Sequence, residues 1–264
     1  MRAGRCHDRR PAGGAVIELD GGELELLDLA GPTELAPLVL LHEGLGSVGL
    51  WRRFPELLHA TTGRRLIAFS RYGHGRSSAP RVPRTAAFFH EEALEVLPRL
   101  LEALGAFEPV LVGHSDGASI ALIHGARRPV SALVLLAPHV FVEEVTLKAI
   151  RDTRREYVSG GLRERMARHH ADPDTAFRGW SDVWLDPAFR AWSLDEEAGR
   201  LTAPTLLIQG ADDPYGSLEQ LTRIEVRAQG AVQRLVCAGG HSPHLEHPEA
   251  VARAIAAFLS AQLQ

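Results

Sequence analysis

Gly113-His114-Ser115-Asp116-Gly117 stands where the apolar run PVLVGHS passes straight into the helix-like segment SDGASIALIHGA. A G-x-S-x-G pentapeptide at such a junction holds its serine on a strained turn with the hydroxyl exposed, because small flanking residues let strand and helix approach closely. The helix N-terminus adds positive partial charge where an oxyanion would form. Nucleophilic attack on a carbonyl needs this arrangement. A serine hydroxyl is weak alone; it needs a base, and the base needs an orienting acid. Glycine and serine are common residues, so the pentapeptide gains its meaning from the elements around it.

Those elements follow a clear order. From Val16 to Ala30, the alternating runs AVIEL and ELELLDLA flank Asp20-Gly21-Gly22 and predict a β-hairpin. Apolar runs bounded by turn residues follow at Pro37–His42, Leu66–Ser70, Val110–His114, Ala132–Ala137, Thr205–Gln209 and Gln233–Cys237. Runs this continuous fit strands buried on both faces of a parallel sheet. Helical patterns lie between most of them. The clearest is Thr85–Leu104, with Leu94, Leu97, Leu101 and Leu104 at helical spacing, Thr85 and Gly105 as end signals, and Pro98 as a kink. The expected fold class is α/β, with a mostly parallel eight-stranded sheet flanked by helices.

One interval breaks the rhythm. From 138 to 203 no strand pattern occurs, and three of the four tryptophans, Trp180, Trp184 and Trp192, fall there. A loop that long without structure is unlikely in a compact domain. The expectation is a helical cap at 138–203, splitting a core of 15–137 and 204–264, after a disordered tail at 1–14.

With this order in place, the chain resembles the α/β-hydrolase superfamily over nearly its whole length after the tail. In that family the acid follows a later strand and the histidine follows the last one. TLLIQG is followed by Ala211-Asp212-Asp213, matching a G-x-x-D pattern, and QRLVCAGG is followed by His241. The resemblance therefore implies Ser115 as nucleophile, His241 as base and Asp213 as acid, with Asp212 a turn neighbour. It implies an oxyanion hole from the backbone N–H groups of Asp116 and of Gly44, in His42-Glu43-Gly44, where Glu43 replaces the family's usual glycine. Arg71-Tyr72-Gly73-His74-Gly75-Arg76-Ser77 matches an R-x-G-x-G-x-S segment with a structural role, with Ser70 where Asp is common. Among subfamilies the chain looks nearest to the biphenyl hydrolase-like, enol-lactonase and meta-cleavage C–C hydrolase group. The implied reaction is cleavage of a small ester, lactone or related acyl compound through an acyl-enzyme. C–C bond hydrolysis of a vinylogous diketone, a cofactor-free lyase or acyl transfer is the alternative on the same apparatus, and a non-catalytic binding protein the third. Glu43, Asp116, Trp180 and Trp184 are the candidate substrate contacts. For Asp116, pairing inside the protein is the competing reading.

Other signals point away from further chemistry. His241, His244 and His247 with Glu246 invite a metal reading, but His241 is needed by the serine. His169-His170 lies in a polar segment and reads as solvated; His114 reads as packing in the elbow. Gly44 and Gly46 make no dinucleotide fingerprint, so no cofactor is implied. The net charge of −4 offers no basic field for nucleic acid or an anionic membrane. Hydrophobic residues at 45% and charged residues at 23% are ordinary for a globular domain. The N-terminal segment is basic but lacks an apolar signal core, no run is long enough to span a bilayer, and two cysteines make no disulfide framework. A cytoplasmic protein acting on a small acyl substrate is the expectation.

Overall fold

A computed structural model describes residues 15–263, so the expected tail at 1–14 lies outside the described residues. Eight strands form one sheet in the order β1-β2-β4-β3-β5-β6-β7-β8. They are β1 (Ala15–Leu19), β2 (Gly22–Leu29), β3 (Leu38–Leu41), β4 (Leu66–Phe69), β5 (Val110–His114), β6 (Ala132–Leu136), β7 (Thr205–Gly210) and β8 (Val232–Cys237). The hairpin closes with Leu19 opposite Gly22, leaving Asp20-Gly21 as its loop. β2 runs antiparallel to β4, and every pairing from β4 to β8 is parallel.

Alternate residues of the central strands divide between two cores, as the two-residue period of a strand requires. Val39, Leu41, Ile67, Leu111, Leu133 and Leu207 face one core; Leu38, Leu40, Val110, Val112, Val134 and Ile208 face the other. β8 departs from the expectation of burial on both faces. It is an edge strand, and its residues are half-buried or exposed.

The helices are α1 (Phe54–Thr62), α2 (Phe88–Glu91), α3 (Leu97–Ala103), α4 (Asp116–Gly125), α5 (Glu144–Ser159), α6 (Leu162–Met166), α7 (Pro173–Leu185), α8 (Asp195–Ala198), α9 (Glu219–Glu225), α10 (Pro243–Glu246) and α11 (Pro248–Gln262). The segment read as one helix from Thr85 starts at Phe88, and α2 and α3 are joined by a π-helical turn, Glu92–Val96. Pro98 has no N–H to return to Leu94, which makes a wider turn there economical. Between β6 and β7 lie α5 to α8, tied at their base by an isolated bridge between Phe141 and Ser193. No helix among the described residues is long and apolar enough to cross a membrane.

Candidate active site

β5 and α4 meet at Ser115, which adopts φ 53° and ψ −118°. That left-handed conformation is costly for a side-chain-bearing residue and marks a turn held by its surroundings. The Ser115 N–H donates to Leu136 C=O at 2.9 Å, fixing the turn to β6. A Cβ on Gly113 would lie 2.3 Å from Gly117 O, and one on Gly117 would lie 2.0 Å from Leu41 O. Both glycines are therefore steric requirements of the junction.

Two loops bring partners to the serine. His241 Nε2 lies 2.9 Å from Ser115 Oγ, and His241 Nδ1 lies 2.9 and 2.8 Å from the Asp213 carboxylate oxygens. Burial alone would raise the Asp213 carboxyl. The His241 hydrogen bond and charge, with the Tyr215 N–H on Oδ1 at 2.8 Å, outweigh it and hold the group below its usual range. Asp212 is exposed. Glu246 fastens the His241 loop by accepting from the N–H groups of Gly240 (2.8 Å) and Ser242 (3.2 Å). The other two histidines go elsewhere: His244 packs on Trp51, ring centroids 4.8 Å apart, and His247 Nε2 donates to Ala238 C=O at 2.9 Å. No group of three or more potential ligands among the described residues is arranged to hold a metal.

The loop after β3 is clamped through four successive carbonyls. Arg71 Nη1 donates to His42 C=O (2.5 Å) and Arg71 Nη2 to Glu43 C=O (3.0 Å). His74 Nε2 donates to Gly44 C=O and His170 Nε2 to Leu45 C=O, each at 2.9 Å. A trans peptide points its N–H opposite its C=O, so fixing Glu43 C=O on Arg71 also fixes the direction of the Gly44 N–H. That N–H donates to none of the described residues. Asp116 N–H, in the first turn of α4, has no intrahelical acceptor either. Gly44 must be glycine, because a Cβ there would lie 2.2 Å from the Trp180 indole.

This clamp corrects one expectation and gives another its detail. His170 is not solvated but 3% exposed, accepting from Gly75 N–H at Nδ1 (3.0 Å) and joining the insertion to two core loops. The R-x-G-x-G-x-S segment has the structural role expected of it, and Arg71 and His74 exercise it by holding the Gly44 loop. Sequence reasoning missed the role of His170, which nothing local marked, and the partners of Arg71 and His74. The carboxylate expected at position 70 comes from the next strand, where Glu25 accepts from Ser70 Oγ at 2.7 Å.

Above Ser115 is a cavity of about 210 Å³ lined by Glu43, Leu45, His139, Trp180, Trp184 and Tyr215, among others. Glu43 serves locally, with Oε2 accepting from Leu45 N–H, and also forms part of this wall. Of the two readings open for Asp116, the structure takes pairing inside the protein and not the substrate contact. Asp116 is 1% exposed and absent from the cavity wall, because Oδ1 turns to α7 and accepts from Trp184 Nε1 at 3.1 Å. Burial pushes its carboxyl up, against the charge of Arg71 and that hydrogen bond. A larger open groove, about 680 Å³, lies on the outer side of Trp184. It contains Arg151, Arg154, Arg155 and Arg190, each paired with a carboxylate, and no nucleophile aligned with a base.

Seven histidines among the described residues are buried, and burial lowers every one of them. Burial pushes His42, His74 and His114 well below 6.5, and His139 and His244 down to about 3. Between 6.5 and the folded value such a histidine binds a proton only when the chain unfolds, so acidification favours unfolding. Glu43, Glu92 and Asp116, all raised by burial, act in the opposite sense. The lowered histidines outnumber the raised carboxyls, so the chain takes up protons on unfolding in mild acid and loses stability as the pH falls below 6.5. The urea midpoint is expected to fall steadily below pH 6.5; a flat or rising midpoint down to about pH 5 contradicts neutral burial of these rings.

A family model described as "Alpha/beta hydrolase family" matches residues 38–254. Among curated proteins, the chain is 37% identical over 114 residues to the 1-acylglycerol-3-phosphate O-acyltransferase ABHD5 of Sus scrofa, covering 42% of this chain and 32% of that protein. The match thus spans about a third of the relative's length. Among solved structures, the enol-lactonase from Burkholderia xenovorans LB400 is 18% identical with TM-score 0.73, covering 93% of this chain and 100% of that one. The meta-cleavage product hydrolase from Pseudomonas fluorescens IP01 is 20% identical with TM-score 0.73, covering 94% of this chain and 98% of that one. At these identities the two structures share the fold.

Proposed function

The chain belongs to the alpha/beta hydrolase family, and from that premise we propose that it is a serine hydrolase that cleaves a small ester, lactone or related acyl compound. The observation that carries this reading is the unbroken hydrogen-bonded chain Ser115–His241–Asp213 opening on a cavity lined by Glu43, Trp180 and Trp184. His241 Nε2 takes the Ser115 proton as Oγ attacks the carbonyl, and Asp213 stabilises the imidazolium. The N–H groups of Gly44 and Asp116 receive the oxyanion. The imidazolium then protonates the leaving oxygen, and water activated by His241 releases the acid from the acyl-enzyme.

The helical insertion acts as a cap, with Trp180 and Trp184 forming the cavity roof over the serine. Its small volume sits below the range of about 300–1,000 Å³ common for drug-sized ligands. That supports a short acyl substrate over a bulky vinylogous diketone. The experiment is exposure to a fluorophosphonate probe followed by peptide mapping. Labelling at Ser115, blocked by prior incubation with a short-chain ester, is the expected result. Folded protein that resists the probe overturns the reading.

A further inference from the structure

Most polar side chains on the cavity wall already have partners within the protein. Tyr215 Oη pairs with Thr153 Oγ1 at 2.7 Å, Thr146 Oγ1 donates to Tyr215 C=O at 2.5 Å, and His114 Nε2 bonds to His241 C=O at 2.8 Å. His139 is different. It follows β6, where its backbone is held: Ser119 Oγ donates to its C=O at 2.6 Å, and Ala137, two residues earlier, adopts φ 46°. Its ring lies 5.2 Å from Trp184 and 5.7 Å from His241, centroid to centroid, and lines the same cavity. Yet Nδ1 is buried without a partner, and Nε2 bonds to none of the described residues. Nδ1 is the nitrogen sealed from solvent, so Nε2, on a ring 2% exposed and beside His241, is the one left to meet a ligand in the cavity.

We propose that His139 is a specificity-determining residue that donates a hydrogen bond from Nε2–H to an oxygen substituent near the scissile carbonyl, so that the preferred substrates are short hydroxy-acyl esters or hydroxylactones. The proposal rests on the serine-hydrolase reading of the site. Orphaned buried N–H groups are rarer than orphaned acceptors, which favours the tautomer with its proton on Nε2 and a bare Nδ1. Burial keeps the ring neutral at physiological pH, down to about 3, so it recognises by hydrogen bonding and not by charge. The size of the cavity agrees. Its 210 Å³ corresponds to about seven water volumes of ~30 Å³, enough for a short chain or a small ring carrying one hydroxyl.

The test compares kcat/KM for the methyl esters of butyric, 2-hydroxybutyric and 3-hydroxybutyric acids in wild type, His139→Phe and His139→Gln. Wild type should prefer one hydroxy ester over the plain ester by about tenfold, the value of one good neutral hydrogen bond. His139→Phe should collapse that ratio toward one. His139→Gln, whose amide N–H reaches close to the Nε2 position, should keep most of it. Fluorophosphonate labelling of Ser115 shows which variants retain a folded site. A wild-type ratio near one, or a ratio unchanged in His139→Phe, overturns the proposal. Failure of wild type to hydrolyse any ester or take up the probe would instead overturn the serine-hydrolase reading.

Discussion

Ser115→Ala is expected to lower kcat on a short-chain ester by about 10⁶ while leaving the urea midpoint nearly unchanged. The hydroxyl is the only group lost. It sits 2.9 Å from His241 Nε2 on a turn whose geometry is set by Gly113, Gly117 and the backbone bond to Leu136, none of which involves Oγ. His241→Ala should be comparably severe, because a serine without its base is a weak nucleophile. The double variant should be no slower than either single one, since the two residues act as a unit and neither half works alone. Residual activity comes from the oxyanion donors and binding. Turnover within about tenfold of wild type in Ser115→Ala would place the nucleophile elsewhere.

Asp213→Asn is expected to cost about 10⁴ in kcat, with little change in KM. Tyr215 N–H donates to Oδ1 and Gln209 Nε2 lies 3.2 Å from Oδ2. An asparagine that keeps its oxygen on the Tyr215 N–H turns its NH₂ toward His241 Nδ1. The ring must then carry its proton on Nε2, where it cannot accept the one from Ser115. The negative charge facing the imidazolium is lost as well. Asp212→Asn should stay within a few-fold of wild type, because its carboxylate is exposed and takes no part in this chain. Measuring both variants on one ester settles the ranking; a reversed order would move the acid by one position.

Much of the architecture was readable because its causes are local. Strands buried between two helical layers must be apolar throughout, which is why the runs at β3 to β7 stood out. β8 shared the apolar run without the burial, since a run cannot report whether another strand lies beyond it. Pro98 announced a disturbance in the helix after Thr85, because a missing N–H is a property of the residue itself. The form of that disturbance, a π turn at Glu92–Val96, was visible only in the structure.

The sequence by itself determined the elbow. Gly113, Ser115 and Gly117 are neighbours in the chain, and the clashes that demand glycine there arise within a few residues or against an adjacent strand. It also determined the order of elements, and hence the end of the sheet at which Asp213 and His241 emerge. Only the tertiary structure decided the partners of the polar side chains around them. Asp116 finds Trp184, 68 positions away; His170 reaches Gly75 across 95 positions and Leu45 across 125. A hydrogen bond between such distant residues leaves no period or spacing in the sequence. It depends on where the insertion settles over the sheet, which is decided by the packing of its apolar faces. His139 is the extreme case, because what sets it apart is the lack of a protein partner for its ring in a cavity wall, which shows only after every neighbour has been placed.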